Sequence, residues 1–261
     1  MSKNTSIGST SDARIRREGS TEVVTAKINQ EQEVRQVLLS FASSIRERDI
    51  VTYEHSRRVA TYAQRLARYV GWNRRDARDL ALAALVHDLG KTWIANDILL
   101  KSAALSPEER RTMERHPVIG ARMLIGCDVH PFYVEAVLHH HEAWDGHGYP
   151  TGLKGEEIPL SSRILTIADV FDVLTSQRPY KAPLSMDTAR ERLLAGSESS
   201  FDPQILRAFL QLLDLYPNFT LPQRLCAIAV DADTLPLENK RSQRHNLYAV
   251  QNPQDEELMA Q

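Results

Sequence analysis

Apolar residues recur along the chain at intervals of three and four, which is the period of a helix. The first such stripe passes through Val34, Val37, Leu38 and Phe41. Comparable stripes continue to about residue 214, and no convincing strand alternation occurs before about residue 219. The pattern therefore predicts an all-α core of seven to nine helices.

Local signals place several helix boundaries. Gly71 is expected to end the second helix, because glycine commonly follows a helix C-terminus. Residues 106–109 combine an N-cap serine, a proline at the first helical position and a glutamate three residues after the cap. We expect that helix to reach His116 and to stop before Pro117. The other predicted helices span about 74–87, 131 to the histidine run, 162–175, 186–195 and 203–214. The arginines of the second helix are expected to face largely outward: Arg57, Arg58, Arg65 and Arg68.

Composition divides the chain into three regions. Residues 1–28 are charged and rich in Ser, Thr and Gly, so they are predicted to form a flexible arm. Residues 29–218 carry the helical pattern and are predicted to form the catalytic domain. Residues 219–261 form a C-terminal extension, in which an apolar run at 225–230 predicts a small strand pair before a polar tail.

Bulk charge and hydropathy exclude several classes of protein. The formal net charge of −2 does not favour a nucleic-acid polymer or an anionic membrane as partner. No apolar run approaches the ~20 residues that span a bilayer, and the first twenty residues lack the apolar stretch of a secretory signal. The two cysteines, Cys127 and Cys226, are expected to be reduced core thiols and not a disulfide. A cytoplasmic location is the expectation.

Histidines are concentrated in one part of the chain, since eight of the nine lie between His55 and His147. His55 continues the apolar stripe of the second helix, where a lone histidine is more often a hydrogen-bonded core residue than a ligand. His87 and Asp88 end the stripe of the third helix. A buried carboxylate beside a buried imidazole is costly without a nearby cation. A role as metal ligands and a role as a hydrogen-bonded core pair are therefore equally expected for His87 and Asp88.

Three successive histidines and a glutamate follow a later helix. His140 and His141 continue its inward positions, whereas His139 is expected to point more outward. Asp169 lies on a buried line of a helix that is apolar almost all round, so it needs a partner. For Asp172 the spacing leaves open a metal ligand, a hydrogen-bond acceptor behind a ligand, or an ion-pair partner.

Together these groups are enough for two metal ions. They lie on inward faces of separate predicted helices, which would not all carry unpaired polar groups by accident. Mixed imidazole and carboxylate ligands suit iron, manganese, cobalt, nickel or zinc better than calcium or magnesium. The residues alone therefore predict a binuclear metal site inside the helical core.

The motifs resemble a known family. The His/Asp cluster resembles the HD superfamily of metal-dependent phosphohydrolases, and Gly148-Tyr149-Pro150, within HHEAWDGHGYPTGL at 140–153, is similar to the HD-GYP subfamily. The other shared segments are HDLGK, ERHPVIGARML, SSRILTIADVFDVLTSQRPYK and FDPQIL, in order between about residues 50 and 212. The resemblance implies an HD-domain helical bundle that hydrolyses cyclic di-GMP to pGpG and/or GMP.

The same resemblance implies a ligand set. Its members are His55, His87, Asp88, His116, His140, His141 and Asp169. His116 is assigned on this ground and not by periodicity, and Asp88 is expected to bridge two metals. Family members with three metals carry a glutamate four residues before the first histidine, where this chain has Val51. Two divalent ions are therefore expected, with iron or manganese favoured.

The chemistry of a phosphodiester suggests catalytic roles. Two metals about 3.5–4 Å apart provide a bridging hydroxide as nucleophile and clamp the phosphate oxygens. Asp88 and Lys91 are the expected catalytic residues, with Lys91 adding positive charge beside the phosphate. The alternative for Lys91 is a cation at a helix C-terminus. Asp88 and Asp172 both remain candidates for proton transfer.

Substrate contacts are expected from the loop at 142–160, called the GYP loop below, and from a basic turn near residue 180. Gly146 and Gly148 are expected to adopt backbone angles barred to other residues. Tyr149 and Trp144 are candidate platforms for a guanine, although a tyrosine there can equally pack beneath the loop. The implied substrate contacts are Gly148, Tyr149, Pro150, Arg178 and Lys181. For the two basic residues the alternative is an exposed turn.

Three functions from different classes fit this sequence. The first is a phosphodiesterase with cyclic di-GMP as substrate. The second is an HD hydrolase of another nucleotide, which the intact GYP motif disfavours. The third is a non-catalytic cyclic di-GMP receptor that docks signalling proteins through the GYP loop. No predicted metal ligand is lost, which favours the first.

Overall fold

The computed structural model describes residues 30–177 and 182–216, and within these ranges the chain is helical without a strand. Its helices are α1 (30–48), α2 (Ile50–Tyr69), α3 (Arg74–Leu85), α4 (Asn96–Leu99), α5 (Pro107–Met113), α6 (His116–Ile125), α7 (Pro131–Leu138), α8 (Leu160–Thr175), α9 (Met186–Ala195) and α10 (Pro203–Leu215). Two 3-10 turns span Leu89–Trp93 and Gly155–Glu157. The predicted all-α fold is confirmed.

The second half of helix α3 lies between two apolar clusters and is buried, whereas the charged residues 74–76 and 78 at its start are exposed. Leu80 and Ala84 belong to a cluster built with α2, α8 and α10. Leu82 and Leu85 belong to a second cluster built with α1 and α7. Helical turns that are apolar on every side are stable only inside a fold. The C-terminus of α3 therefore ends in the interior, and this burial places residues 87 and 88 there too.

The helix around His116 differs from the prediction. The helix that begins at Pro107 ends at Met113, and His116 starts a separate helix, α6, which the periodicity did not predict. Pro117 lies in the first turn of α6, where the missing N–H of proline has no intrahelical partner to lose. The predicted helix therefore stops before Pro117, but the expectation that it reaches His116 was wrong. With α6 and the single-turn α4, the described part of the chain has ten α-helices, more than the seven to nine predicted.

The arginines of α2 also depart from the expectation. Arg58 is buried, with 8 % of its surface exposed, and Arg57 is largely covered. Position 58 lies four residues before the buried Tyr62, so it shares the inward face of α2. A long side chain can lie on that face when its charged end finds a partner.

Gly90 allows the turn after α3 to touch the start of α6. A Cβ atom at position 90 would lie 1.9 Å from the carbonyl oxygen of His116 and 2.8 Å from the nitrogen of Gly120. Both neighbours are backbone atoms, so they cannot move aside as a flexible side chain would. The contact therefore fixes the distance between the segment at 87–91 and the N-terminus of α6.

Replacing Gly90 with alanine should lower the free energy of unfolding by about 1–3 kcal/mol, the usual cost of forcing an extra carbon into a packed site. Urea denaturation followed by circular dichroism measures this change. Gly126→Ala is the matched control, because a Cβ there meets nothing closer than 3.5 Å and φ is −63°. If both variants are equally stable, the close approach at Gly90 is not a constraint on the fold.

Some predictions fall on residues outside the described ranges. These are the flexible arm at 1–28, the strand pair at 225–230 and the core position of Cys226. Cys127 lies two residues after α6 and is exposed, so its predicted core position was wrong. Among the described residues, none of the helices has the length and apolar character required to cross a bilayer.

Candidate metal centre

The structure brings all seven predicted ligands together. Their ligand atoms form three groups of three, each with all atoms within 4.8 Å of one another. The groups are His55/His87/Asp169, His87/Asp88/His140 and His116/His140/His141. The middle group shares His87 with the first and His140 with the third. The cluster is therefore continuous and has two ends, with Asp88 between them.

Carbonyl groups of the preceding turns orient three of the histidines. Nδ1 of His87 lies 2.7 Å from the carbonyl oxygen of Ala84, and Nδ1 of His140 lies 2.7 Å from that of Val137. Nδ1 of His116 makes the same contact, 2.8 Å from the oxygen of Met113. A carbonyl only accepts, so each Nδ1 carries the proton and each Nε2 keeps its lone pair. The last turns of α3, α5 and α7 thus aim Nε2 atoms into the cluster.

A carboxylate orients the fourth histidine. Nδ1 of His55 lies 2.7 Å from Oδ2 of Asp172, while its Nε2 lies 2.9 Å from Oδ1 of Asp169. Arg58 holds Asp172 by two hydrogen bonds, of 2.6 Å from Nε and 2.9 Å from a terminal nitrogen. The hydroxyl of Ser176 donates a further one, of 2.8 Å. Asp172 is therefore both the acceptor behind a predicted ligand, His55, and an ion-pair partner of Arg58, two alternatives that the spacing left open.

Burial keeps three of the histidines, His116, His140 and His141, in their neutral form. It lowers the pKa of His116 to about 3 and that of His141 to about 4, with the nearby positive charge of Lys91 adding to the effect. Burial and the neighbouring His141 hold the pKa of His140 well below its usual value. At neutral pH these three rings are uncharged, which is the form that binds a metal.

The carboxylates are ionised in the same surroundings. Burial alone would raise the pKa of Asp88, but the adjacent His87 and Lys91 hold it well below its usual range. For Asp169 burial is likewise outweighed, by the hydrogen bond and charge of His55, and its pKa is lowered. Burial lowers the pKa of His55, yet Asp169 and Asp172 raise it overall to about 9. Metal uptake at His55 should therefore release a proton at neutral pH.

The hydrogen bonding of the Asp88 carboxylate indicates whether a cation would fit in the cluster. Oδ1 of Asp88 is buried and accepts no hydrogen bond. A buried anionic oxygen without a donor is costly, and a cation between this oxygen and the surrounding Nε2 atoms would satisfy it. Oδ2 of the same residue lies 2.7 Å from Nζ of Lys91. The side chains of the cluster therefore fit divalent metal ions. The ammonium group of Lys91 lies directly beside the cluster.

The GYP loop covers one side of the cluster. The ring of Tyr149 lies against the imidazole of His141, with centroids 4.8 Å apart and an interplanar angle of 30°. Gly146 has a φ of +86°, as expected, but Gly148 does not have a positive φ. Position 148 instead needs glycine because a Cβ would lie 2.2 Å from the nitrogen of Ala143. Pro150 is exposed at the surface.

Other candidates lie apart from the cluster. His139 belongs to none of the three groups of ligand atoms, and its side chain, which is 12 % exposed, lies beside Glu142. His147 is exposed in the GYP loop. Arg178 and Lys181 lie outside the described residues, so their expected substrate contacts stay predictions. Sequence reasoning missed Arg58 and Glu142, although Arg58 lies one helical turn before Tyr62 on the buried stripe.

A comparison with protein families assigns the fold. Residues 41–205 match the family profile described as HD domain, which is more than half of the chain. The chain belongs to the HD domain family. The matched range contains the pair His87-Asp88, which lies at the middle of the cluster.

Curated relatives match the same HD domain. A cyclic di-GMP phosphodiesterase of Thermotoga maritima is 40 % identical over 167 residues, which cover 63 % of this chain and 45 % of the relative. A 3'3'-cGAMP-specific phosphodiesterase of Vibrio cholerae is 36 % identical over 182 residues, which cover 69 % and 35 %. The chain thus spans less than half the length of these relatives. They confirm the resemblance to the HD-GYP family drawn from the motifs.

A solved structure shares the helical arrangement. The crystal structure of a cyclic GMP-AMP-specific phosphodiesterase of Vibrio cholerae aligns with a TM-score of 0.51 at 20 % identity. The alignment covers 71 % of this chain and 50 % of that one. This likeness supports the fold of the HD domain.

Proposed function

We propose that this chain is a metal-dependent phosphodiesterase that hydrolyses cyclic di-GMP to pGpG and/or GMP. The observation that carries the proposal is the convergence of seven ligand side chains into three overlapping groups. The name of the Thermotoga maritima relative supports the choice of substrate. Residues 29–218 are proposed as the catalytic domain.

Two divalent ions, iron or manganese, are the proposed cofactors. The two ends of the cluster each provide at least two histidines, and Asp88 lies between them with one oxygen free of hydrogen bonds. This supports Asp88 as the ligand shared by both ions. Val51, one turn before His55 and half exposed, has no atom that could hold a third. When bound, the two ions supply a nucleophile from water at neutral pH and neutralise the phosphate oxygens.

The side chains around the cluster have complementary tasks. Lys91 provides a positive charge next to Asp88, at a side chain that is one quarter exposed and so can meet a phosphate. His55 is held by Asp172, which keeps its Nε2 turned toward the cluster. Tyr149 closes the side at His141.

Substrate binding is proposed for the GYP segment and the basic turn. Tyr149 offers an aromatic face near the cluster, and Gly148 and Pro150 shape the backbone around it. Arg178 and Lys181 are proposed to contact phosphate or guanine, on the strength of the family motif alone.

A second substrate has a specific observation in its favour. One relative at 36 % identity is named a 3'3'-cGAMP-specific phosphodiesterase. Cyclic GMP-AMP has the same two phosphodiester bonds, so the metal ions would have the same role in its hydrolysis. It has adenine in place of one guanine, so it needs fewer contacts that are specific for guanine. Docking of signalling proteins on the GYP loop, where Pro150 and His147 are exposed, is the non-catalytic alternative.

The test is an anaerobic purification followed by elemental analysis and a substrate panel. The protein as purified, and after loading with Fe²⁺ or Mn²⁺, is incubated with cyclic di-GMP, cyclic GMP-AMP and pGpG, and products are separated by chromatography. We expect about two metal ions per chain, with cyclic di-GMP cleaved faster than cyclic GMP-AMP. A loaded protein that leaves cyclic di-GMP intact contradicts the proposal, and cleavage of cyclic GMP-AMP alone reassigns the substrate.

A further inference from the structure

Glu142 follows the histidine run and is fully buried, yet it belongs to none of the groups of ligand atoms among the described residues. Its carboxylate accepts hydrogen bonds from three successive backbone nitrogens. Oε1 lies 2.7 Å from the nitrogen of Thr151, and Oε2 lies 3.0 and 3.1 Å from those of Gly152 and Leu153. Consecutive N–H groups of this kind form a concave anion site. In this chain the anion is a side chain of the protein itself.

These contacts use most of the hydrogen-bonding capacity of the Glu142 carboxylate. A carboxylate oxygen has about two lone-pair directions, and both of those on Oε2 are used by backbone donors. Oε1 takes the donor at Thr151 and lies 3.5 Å from Nδ1 of His139. The residue therefore acts through the loop that it holds.

The loop held by Glu142 returns to a proposed ligand. The three donors come directly after the Gly148–Tyr149–Pro150 segment. The nitrogen of Tyr149 donates to the carbonyl oxygen of His141 at 3.1 Å, and its ring lies against the His141 imidazole. The missing side chain of Gly148 lets the segment lie directly on residues 142 and 143.

His141 has fewer partners than the other histidines of the cluster. No hydrogen bond to its Nδ1 is found within the described residues, whereas His55, His87, His116 and His140 each have one. Its ring contacts are with His116, His140 and Tyr149. Tyr149 is the one of these three that is not itself a proposed ligand. The orientation of His141 therefore depends on how firmly the GYP segment is held.

We propose that Glu142 is a positioning residue that locks the GYP segment against His141, and that the segment thereby fixes a metal ligand in addition to any contact with substrate. This inference rests on the proposed metal-dependent function. It predicts that removing the hydrogen bonds between Glu142 and residues 151–153 weakens metal binding even when no substrate is present.

The test uses three variants of the full chain. Glu142→Gln keeps the shape but places an NH₂ group against at least one backbone N–H, which leaves that donor without an acceptor. Tyr149→Ala removes the ring from His141 and leaves the carboxylate in place. Glu157→Gln is the matched control, because Glu157 is an exposed residue of the same loop that accepts one backbone hydrogen bond, from Lys154.

Two measurements need no nucleotide. The metal-free proteins are titrated with Mn²⁺ by calorimetry, and trypsin cleavage after the exposed Lys154 is timed by mass spectrometry. For Glu142→Gln we expect faster cleavage and Mn²⁺ affinity lower by about 10–100-fold, the usual loss when a residue that orients a ligand is removed. Tyr149→Ala should lose affinity in the same range, and Glu157→Gln should match the wild type in both measurements.

The outcomes separate the inference from the proposed function. Faster cleavage of Glu142→Gln with unchanged Mn²⁺ affinity overturns the inference, and so does unchanged cleavage. Tyr149→Ala with wild-type affinity overturns it even if Glu142→Gln does not fold. A wild-type chain that takes up no Mn²⁺ or Fe²⁺ at all instead overturns the proposed function, and the inference with it.

Discussion

Asp88→Asn should reduce the proposed turnover of cyclic di-GMP by about a thousandfold or more, which corresponds to about 4 kcal/mol of transition-state stabilisation. Asp88 lies between the two ends of the cluster and has one buried oxygen without a donor. Asparagine keeps the size of the side chain but removes the negative charge and turns one oxygen into a donor. We expect metal content to fall as well.

Elemental analysis, turnover and circular dichroism measured on the same preparation check this prediction. Asp97→Asn is the control, because it makes the same exchange at an exposed helix start outside the cluster. The variant should retain the helical signal of the wild type, since no ion pair other than those of the cluster and Lys91 involves Asp88 in the described structure. An Asp88→Asn protein with full metal content and turnover would show that Asp88 is not a shared ligand.

Asp172→Asn should lower the free energy of unfolding of the metal-free chain by about 3–5 kcal/mol, the cost of leaving a buried charge without its partner. Asp172 is completely buried and Arg58 nearly so. The neutral amide cannot balance the guanidinium of Arg58, and it can accept from only part of the set formed by Arg58, His55 and Ser176. Urea denaturation of metal-free protein at neutral pH measures the loss.

The comparison for this second prediction is an ion pair at the surface. Arg190 and Asp214 lie 2.7 Å apart, with 65 % of the aspartate side chain exposed. Asp214→Asn should therefore change the free energy of unfolding by less than about 1 kcal/mol. Equal losses in the two variants would mean that the Arg58–Asp172 pair contributes no more than a solvent-screened one.

Periodicity determined much of this protein without its structure. The apolar stripes of α2 and α8 made His55 and Asp169 candidate ligands, because a helix fixes the direction of each side chain relative to its apolar face. The stripe of α7, continued past its end, did the same for His140 and His141, which the structure places in the turn after the helix. The Ser-Pro and Asp-Pro pairs predicted the starts of α5 at Pro107 and α10 at Pro203, where the structure has them. His116 was predicted as a ligand from the family resemblance alone. The residues of α6 are apolar on several sides, so the sequence has no single apolar stripe that would predict this helix.

The tertiary structure decided the contacts that join distant segments. The pairing of Arg58 with Asp172 and that of Glu142 with residues 151–153 depend on how chain segments return to one another. Helical period carries no such information, since it reports which face is inward and not what that face meets. For the same reason the sequence explained Gly148 by its backbone angles, whereas the structure requires glycine there for a close backbone approach. The sequence thus determined which side chains are the candidate ligands, and only the packed fold decided which side chains hold those candidates in position.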